Sequence, residues 1–188
     1  MNHFTKVATL TSLLVAGAFG AASTASANTG IIKFSGAISA ATCDMNVSVN
    51  GIVSPTGVVD LGVHKASDVT AVGTFGTAVD LALTPDEATC DISPAGEDAL
   101  VQISAAQTDA TNTSVVTSAE TTTTNAGVLF QLASGGNVVN NGSVSLTSGS
   151  ADLDAAGAIH FTAQPYAIAA SVNPGIIGGS VSYTVAYL

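Results

Sequence analysis

The chain has 188 residues, of which 47% are hydrophobic and only 9% charged, with a formal net charge of −10. Three lysines and no arginine stand against 13 acids, a balance that repels phosphate, excludes nucleic-acid binding and disfavours anionic membrane surfaces. The abundance of Ala, Val, Thr, Ser and Gly departs from an ordinary cytoplasmic enzyme and suits a β-rich, tightly packed extracellular protein.

The first element is an export signal. Lys6 opens a short charged region, residues 7–20 are apolar or small, and Ala25-Ser26-Ala27 offers an A-x-A cleavage site, as in a Sec signal peptide. Cleavage after Ala22 or Ala25 is also chemically acceptable, because small residues recur at the −1 and −3 positions. The apolar run is shorter than the roughly 20 residues of a membrane-spanning helix, and no later segment is long and apolar enough to span a bilayer. Residues 1–27 are therefore expected to be removed, leaving 28–188 as one domain outside the cytoplasm. Loss of Lys6 takes the formal charge to −11, two lysines against thirteen acids.

Beyond the signal the dominant period is two, the repeat of a half-buried strand. Ile32, Phe34, Gly36 and Ile38 alternate first, then Met45, Val47 and Val49 after Cys43. A Pro55-Thr56-Gly57 turn leads to Val59, Leu61 and Val63, and Val79, Leu81 and Leu83 run up to Pro85 and Cys90. Val101, Ile103 and Ala105 form the next run, and Val128, Phe130 and Leu132 follow a polar Thr-rich stretch. Ile159, Phe161 and Ala163 precede an expected break at Pro165, and Val181, Tyr183, Val185 and Tyr187 make the last strand. The Gly135-Gly136, Asn140-Asn141-Gly142 and Asn173-Pro174-Gly175 clusters carry turn chemistry. Seven or eight short strands at this spacing, with no amphipathic helix, repeat or linker, predict an all-β, immunoglobulin-like β-sandwich.

Cys43 and Cys90 are the only cysteines. In an exported chain an even pair reads as a disulfide, and His64 and His160 are too far away in sequence to complete a metal site. Closing such a loop stabilises the fold by roughly 4 kcal/mol in the chain-entropy model. No catalytic signature is present: there is no G-x-S-x-G elbow, H-E-x-x-H, C-x-x-C or phosphate-binding glycine loop. The acid pairs Asp86-Glu87, Glu97-Asp98 and Asp152-Leu153-Asp154 fall in polar, turn-like stretches and read as solvated loop acids. No active site, metal site or cofactor is expected.

The ordered set of segments resembles the type 1-like pilins of chaperone-usher fimbriae, the structural subunits of adhesive bacterial surface fibres. Gly30-Ile31-Ile32-Lys33-Phe34-Ser35-Gly36-Ala37-Ile38 before Cys43 is similar to their opening. Val59-Asp60-Leu61-Gly62-Val63, a Gly73 to Gly76 turn, and Asp80-Leu81-Ala82-Leu83 before Cys90 match the middle. Gly127-Val128-Leu129-Phe130-Gln131-Leu132 and Ile159-His160-Phe161-Thr162-Ala163 resemble two later strands. The end carries the family motif of a penultimate tyrosine, Tyr187, with a glycine, Gly175, fourteenth from the C-terminus.

The resemblance implies a sandwich lacking its final strand, with a hydrophobic groove beside the C-terminal strand that a donor strand completes. Strand donation between chaperone and pilin is itself the reference example of β-augmentation, so that mechanism comes with the resemblance. The donor segment falls within residues 28–36, with Ile32 and Phe34 as pocket-filling residues on one strand face and Gly30 as the small one. Gly175, Val181, Tyr183, Val185 and Tyr187 are the expected acceptor edge and chaperone-recognition residues. The implied partners are a periplasmic chaperone, an outer-membrane usher and identical or related pilin subunits, with export through the periplasm to a fimbrium on the cell surface. The other reading is a secreted or fibre-tip binding module of the same sandwich type, an adhesin or coat protein.

Overall fold

The computed structural model describes residues 38–39, 41, 43–118 and 124–188, all within the unit Ser35–Leu188. The signal, the first predicted strand up to Gly36, and Gly30, Ile32 and Phe34 lie outside the described residues. Ten strands follow in chain order: β1 (Met45–Val49), β2 (Ile52–Val53), β3 (Gly73–Thr74), β4 (Val79–Pro85), β5 (Ala99–Ala105), β6 (Val115–Val116), β7 (Ala126–Leu132), β8 (Ser143–Leu146), β9 (Ile159–Ala167) and β10 (Val181–Tyr187). One 3₁₀ turn, Ala66–Asp68, is the sole helical piece among the described residues.

Two antiparallel sheets form. The larger runs β2-β1-β4-β9-β7-β6, with β3 also on β9, and the smaller runs β10-β5-β8. The period of two produces this arrangement directly: Val79, Leu81, Leu83 and Pro85 of β4 are buried in alternation, as are Ile159, Phe161, Ala163, Pro165 and Ala167 of β9. These faces meet Ala99, Val101 and Ile103 of β5 to make one core, in which the Phe130 and Phe161 rings stack at 5.2 Å. The β1–β2 hairpin turns through Asn50-Gly51, both at positive φ (50° and 80°), the backbone that a two-residue hairpin turn requires.

The disulfide joins Cys43 to Cys90, with Cα atoms 4.3 Å apart. It sits just outside the β1–β4 ladder, which pairs Met45 with Pro85. Backbone bonds from Asp86 to Asp44 (2.8 Å) and from Asp44 to the Thr89 hydroxyl (2.9 Å) continue the pairing up to the crosslink.

Three sequence expectations are corrected. Strand β9 does not break at Pro165 but runs on to Ala167. The registers Val79↔Ala163 and Thr74↔Tyr166 leave four residues (75–78) opposite two (164–165). Pro165 faces this bulge, where its carbonyl accepts from Phe75 (3.0 Å), so its missing N–H breaks no ladder bond. The expected Gly73 to Gly76 turn begins instead with β3, paired to β9. Finally, Val59, Leu61 and Val63 do not form a strand: residues 56–64 carry no ladder, and Gly57 and Gly62 take φ values of 64° and 79° that interrupt an extended run.

Candidate functional site: an open apolar groove beside the last strand

Strand β10 pairs with β5 on one edge only, and no described strand pairs with its other edge. The ladder runs from Val181↔Ala105 to Tyr187↔Ala99. Leu188 donates to the Asp98 carbonyl across this ladder (2.9 Å), whereas the Tyr187 amide donates outward to the Ser39 hydroxyl (3.0 Å). Backbone polarity alternates along an antiparallel strand, so the even residues of β10 bond β5. The odd residues Val181, Tyr183 and Val185 turn their N–H and C=O groups to the open edge.

Alongside this edge lies a groove of about 850 Å³. One lip is residues 56–64 and the other is residues 175–181 with Tyr183. Its floor is core exposed from the side: Leu81 and Leu83 of β4, Ile103 of β5, Val116 of β6, Val128 and Phe130 of β7, and Phe161 of β9. Sheets that close over their core leave no such opening, and an apolar cleft beside unpaired backbone is what a missing strand leaves behind.

The first lip is held by local bonds rather than by a ladder. Asp60 Oδ1 accepts from the Gly62 amide (2.9 Å) and His64 Nε2 bonds the Leu61 carbonyl (2.8 Å). The His64 ring stands edge-on to Phe75 at 5.2 Å. Val59 and Leu61 pack inward on the core, while Val63 is wholly exposed, at 101%. The second lip passes tightly over β6: a side chain at Gly179 would place its Cβ 2.6 Å from Val116 Cγ1 and 3.3 Å from the Thr117 carbonyl oxygen.

The expected acceptor residues separate into two groups. Gly175, Val181 and Tyr183 line the groove, and Tyr183 remains 39% exposed. Val185 packs against the core, and Tyr187 lies inside it at 2% exposure. The Tyr187 hydroxyl donates to the Gly157 carbonyl (2.6 Å) and lies 3.9 Å from Met45 Sδ. Burial, aided by the negative charge of Asp154, pushes this phenol up to about 12. Its side chain therefore anchors the last strand rather than lining the groove.

The turn that receives Tyr187 is built by an acid. Asp154 Oδ1 accepts from the amides of Ala156 and Ala158 (2.9 Å each), and Oδ2 lies 3.2 Å from His160 Nε2. Desolvation pushes the Asp154 carboxyl up, but the bonds from Ala158, His160 and Ala156 outweigh it and hold the group below its ordinary value. Asp152 likewise accepts from the Ser134 amide and hydroxyl (2.8 Å each), and Asp98 from the Ser148 amide (2.9 Å). These acids tie turns together, a role beyond the solvated one that their sequence context suggests. Among the described residues no three His, Cys, Asp or Glu side chains gather as metal ligands.

Sequence reasoning did not find the lip residues Val59 and Leu61 as groove walls, nor Phe130 and Phe161 as its floor. Their alternation marks them only as buried, and burial alone does not distinguish a closed core from one open at the side.

Comparison with known proteins bears on this geometry. No family model matches the chain. Over 77 residues it is 40% identical to the K99 fimbrial protein of Escherichia coli, a stretch that is 41% of this chain and 38% of that protein. The crystal structure of PapA, the rod subunit of the P pilus, superposes with a TM-score of 0.56 over 85% of this chain and all of PapA, at 21% identity. The fold is thus that of a pilus rod subunit, an incomplete immunoglobulin-like sandwich.

Proposed function

We propose that this chain is a structural subunit of a chaperone-usher fimbria that polymerises by accepting a strand from one neighbour and donating its own to the next. The observation that carries the proposal is the side-opened core: an 850 Å³ apolar groove running beside the unpaired edge of β10. An extended segment laid there gains backbone bonds from Val181, Tyr183 and Val185, while its alternate side chains meet Phe130 and Phe161. The shared stretch with a fimbrial protein and the rod-subunit fold support the same reading.

On this account residues 1–27 direct export, and residues 28–36 carry the donor, with Ile32 and Phe34 entering the neighbour's groove and Gly30 placed where little depth is needed. Each fully buried apolar side chain contributes roughly 1.5–3 kcal/mol, enough for a few together to give a very long-lived joint. A periplasmic chaperone covers the groove before assembly, and an usher delivers the subunit to the cell surface. The chain acts as a building block and carries no enzymatic activity.

Material sheared from the cell surface tests this on an SDS gel, run before and after boiling in acid, with N-terminal sequencing of the released monomer. The account expects a ladder that collapses to one band only after the harsh treatment, with a sequenced start between residues 23 and 28. A single monomer band in both lanes would refute it.

A further inference from the structure

One residue closes the open edge of β10 at a defined point. The Ser39 hydroxyl accepts the outward-facing amide of Tyr187 at 3.0 Å and lies 3.4 Å from the same residue's carbonyl oxygen. It also donates to the Ala41 carbonyl, which holds it in place. The hydroxyl's one proton goes to Ala41, so what Ser39 takes from the edge is the Tyr187 amide, the donor that a paired strand would otherwise use. Toward Gly175 the edge has no comparable cap among the described residues: Val181, Tyr183 and Val185 present their N–H and C=O groups with no described strand against them.

We propose that Ser39 is a register stop for the incoming strand, a specificity-determining residue that ends the acceptor edge at Val185. This rests on the strand-acceptor reading above and adds to it the reason for one alignment among several. Side chains repeat every second residue along a strand, so a donor displaced by two residues presents the same face and meets the same kind of apolar floor. The floor therefore discriminates weakly between registers two apart. A fixed end to the edge discriminates strongly, because a strand running past Val185 meets a Tyr187 amide that is already taken. The incoming carbonyl that would face it finds no N–H, and a buried unpaired acceptor is costly.

The test uses the exported chain refolded with three synthetic peptides: residues 28–38, and two versions with the Ile32/Phe34 pattern displaced by two residues in either direction. In the parent chain the best register should bind roughly tenfold more tightly than the one that overruns Val185, the size of one unmade buried hydrogen bond. Ser39→Ala should reduce that ratio to within about threefold, and Ser39→Thr, which keeps the hydroxyl, should restore it. Amide exchange at Tyr187 gives a second readout. It should be slow with or without peptide in the parent chain, and in Ser39→Ala fast alone but slow once the overrunning peptide is added. Binding with the ratio unchanged in Ser39→Ala overturns the role of Ser39 alone, even if the variant is less stable. Failure of all three peptides to bind the parent chain overturns the acceptor reading and the register stop with it.

Discussion

Tyr187 is the residue whose chemistry changes most between sequence and structure. As a penultimate tyrosine on an alternating strand it reads as part of an exposed edge. In the fold its ring is core, its hydroxyl serves the Gly157 carbonyl, and only its backbone faces outward, to Ser39. Tyr187→Phe deletes one buried hydrogen bond and leaves the Gly157 carbonyl unpaired, which should cost about 1–3 kcal/mol in urea unfolding. The raised phenol adds a pH signature. Its folded value of about 12 stands above the ordinary value of 10, so its contribution is complete below pH 10 and is lost as pH rises toward 12. The gap between parent and Tyr187→Phe should therefore narrow from pH 9 to pH 11, and a constant gap would show that the hydroxyl is not buried as described. Asp154 works in the opposite sense. Its lowered carboxyl contributes above the ordinary carboxylate range, and that contribution is lost in acid as it protonates.

Among the elements, the disulfide and the two unusual stretches of the large sheet show what local sequence conveys. Cys43 and Cys90 close a separation of 47 residues beside the β1–β4 ladder. Replacing both with Ser should lower stability by roughly 4 kcal/mol, measured as a lower urea midpoint with a somewhat steeper slope, because the uncrosslinked chain exposes more surface on unfolding. Strands whose burial alternates, such as β4, β5 and the first half of β9, were legible from their alternation, because a period of two has one structural meaning when one face is buried. Pro165 misled because a proline argues against a central strand. The bulge at 75–78 that accommodates it lies almost ninety residues away in sequence, beyond any local pattern. The 56–64 lip misled for the converse reason: Val59, Leu61 and Val63 alternate as strand residues do, but alternation does not supply a partner. With Gly57 and Gly62 at positive φ the segment bonds to itself and leaves Val63 in solvent. Asn50-Gly51 was a readable hairpin signal that went unused. Ser39 carried no signal, since one serine before a cysteine is ordinary until the C-terminal strand is placed beside it.

At the scale of the whole molecule, one asymmetry organises the fold. The strands with alternating apolar residues pack into one core, and the groove where that core reaches the outside is flanked by an edge of β10 that no described strand pairs and by a lip without a ladder. The fold class was readable from the sequence. The groove beside the C-terminal strand came only with the family resemblance, because an opening is a property of two sheets together and no local pattern marks it. Its floor should be sensitive to charge: Phe130→Asp places an unpaired carboxylate in the core, and should abolish peptide binding while also lowering stability by several kcal/mol.

The most direct test of the central claim supplies the missing strand in the same polypeptide. Residues 28–38 are fused after Leu188 through a short flexible turn, so that the segment can fold back along β10, and the original copy ahead of Ile38 is deleted. Urea unfolding and sedimentation are then compared with the same chain lacking the fusion. The account predicts a monodisperse monomer stabilised by at least about 3 kcal/mol, the burial of two large apolar side chains. A fused chain that unfolds at the same urea concentration as the unfused one would contradict it.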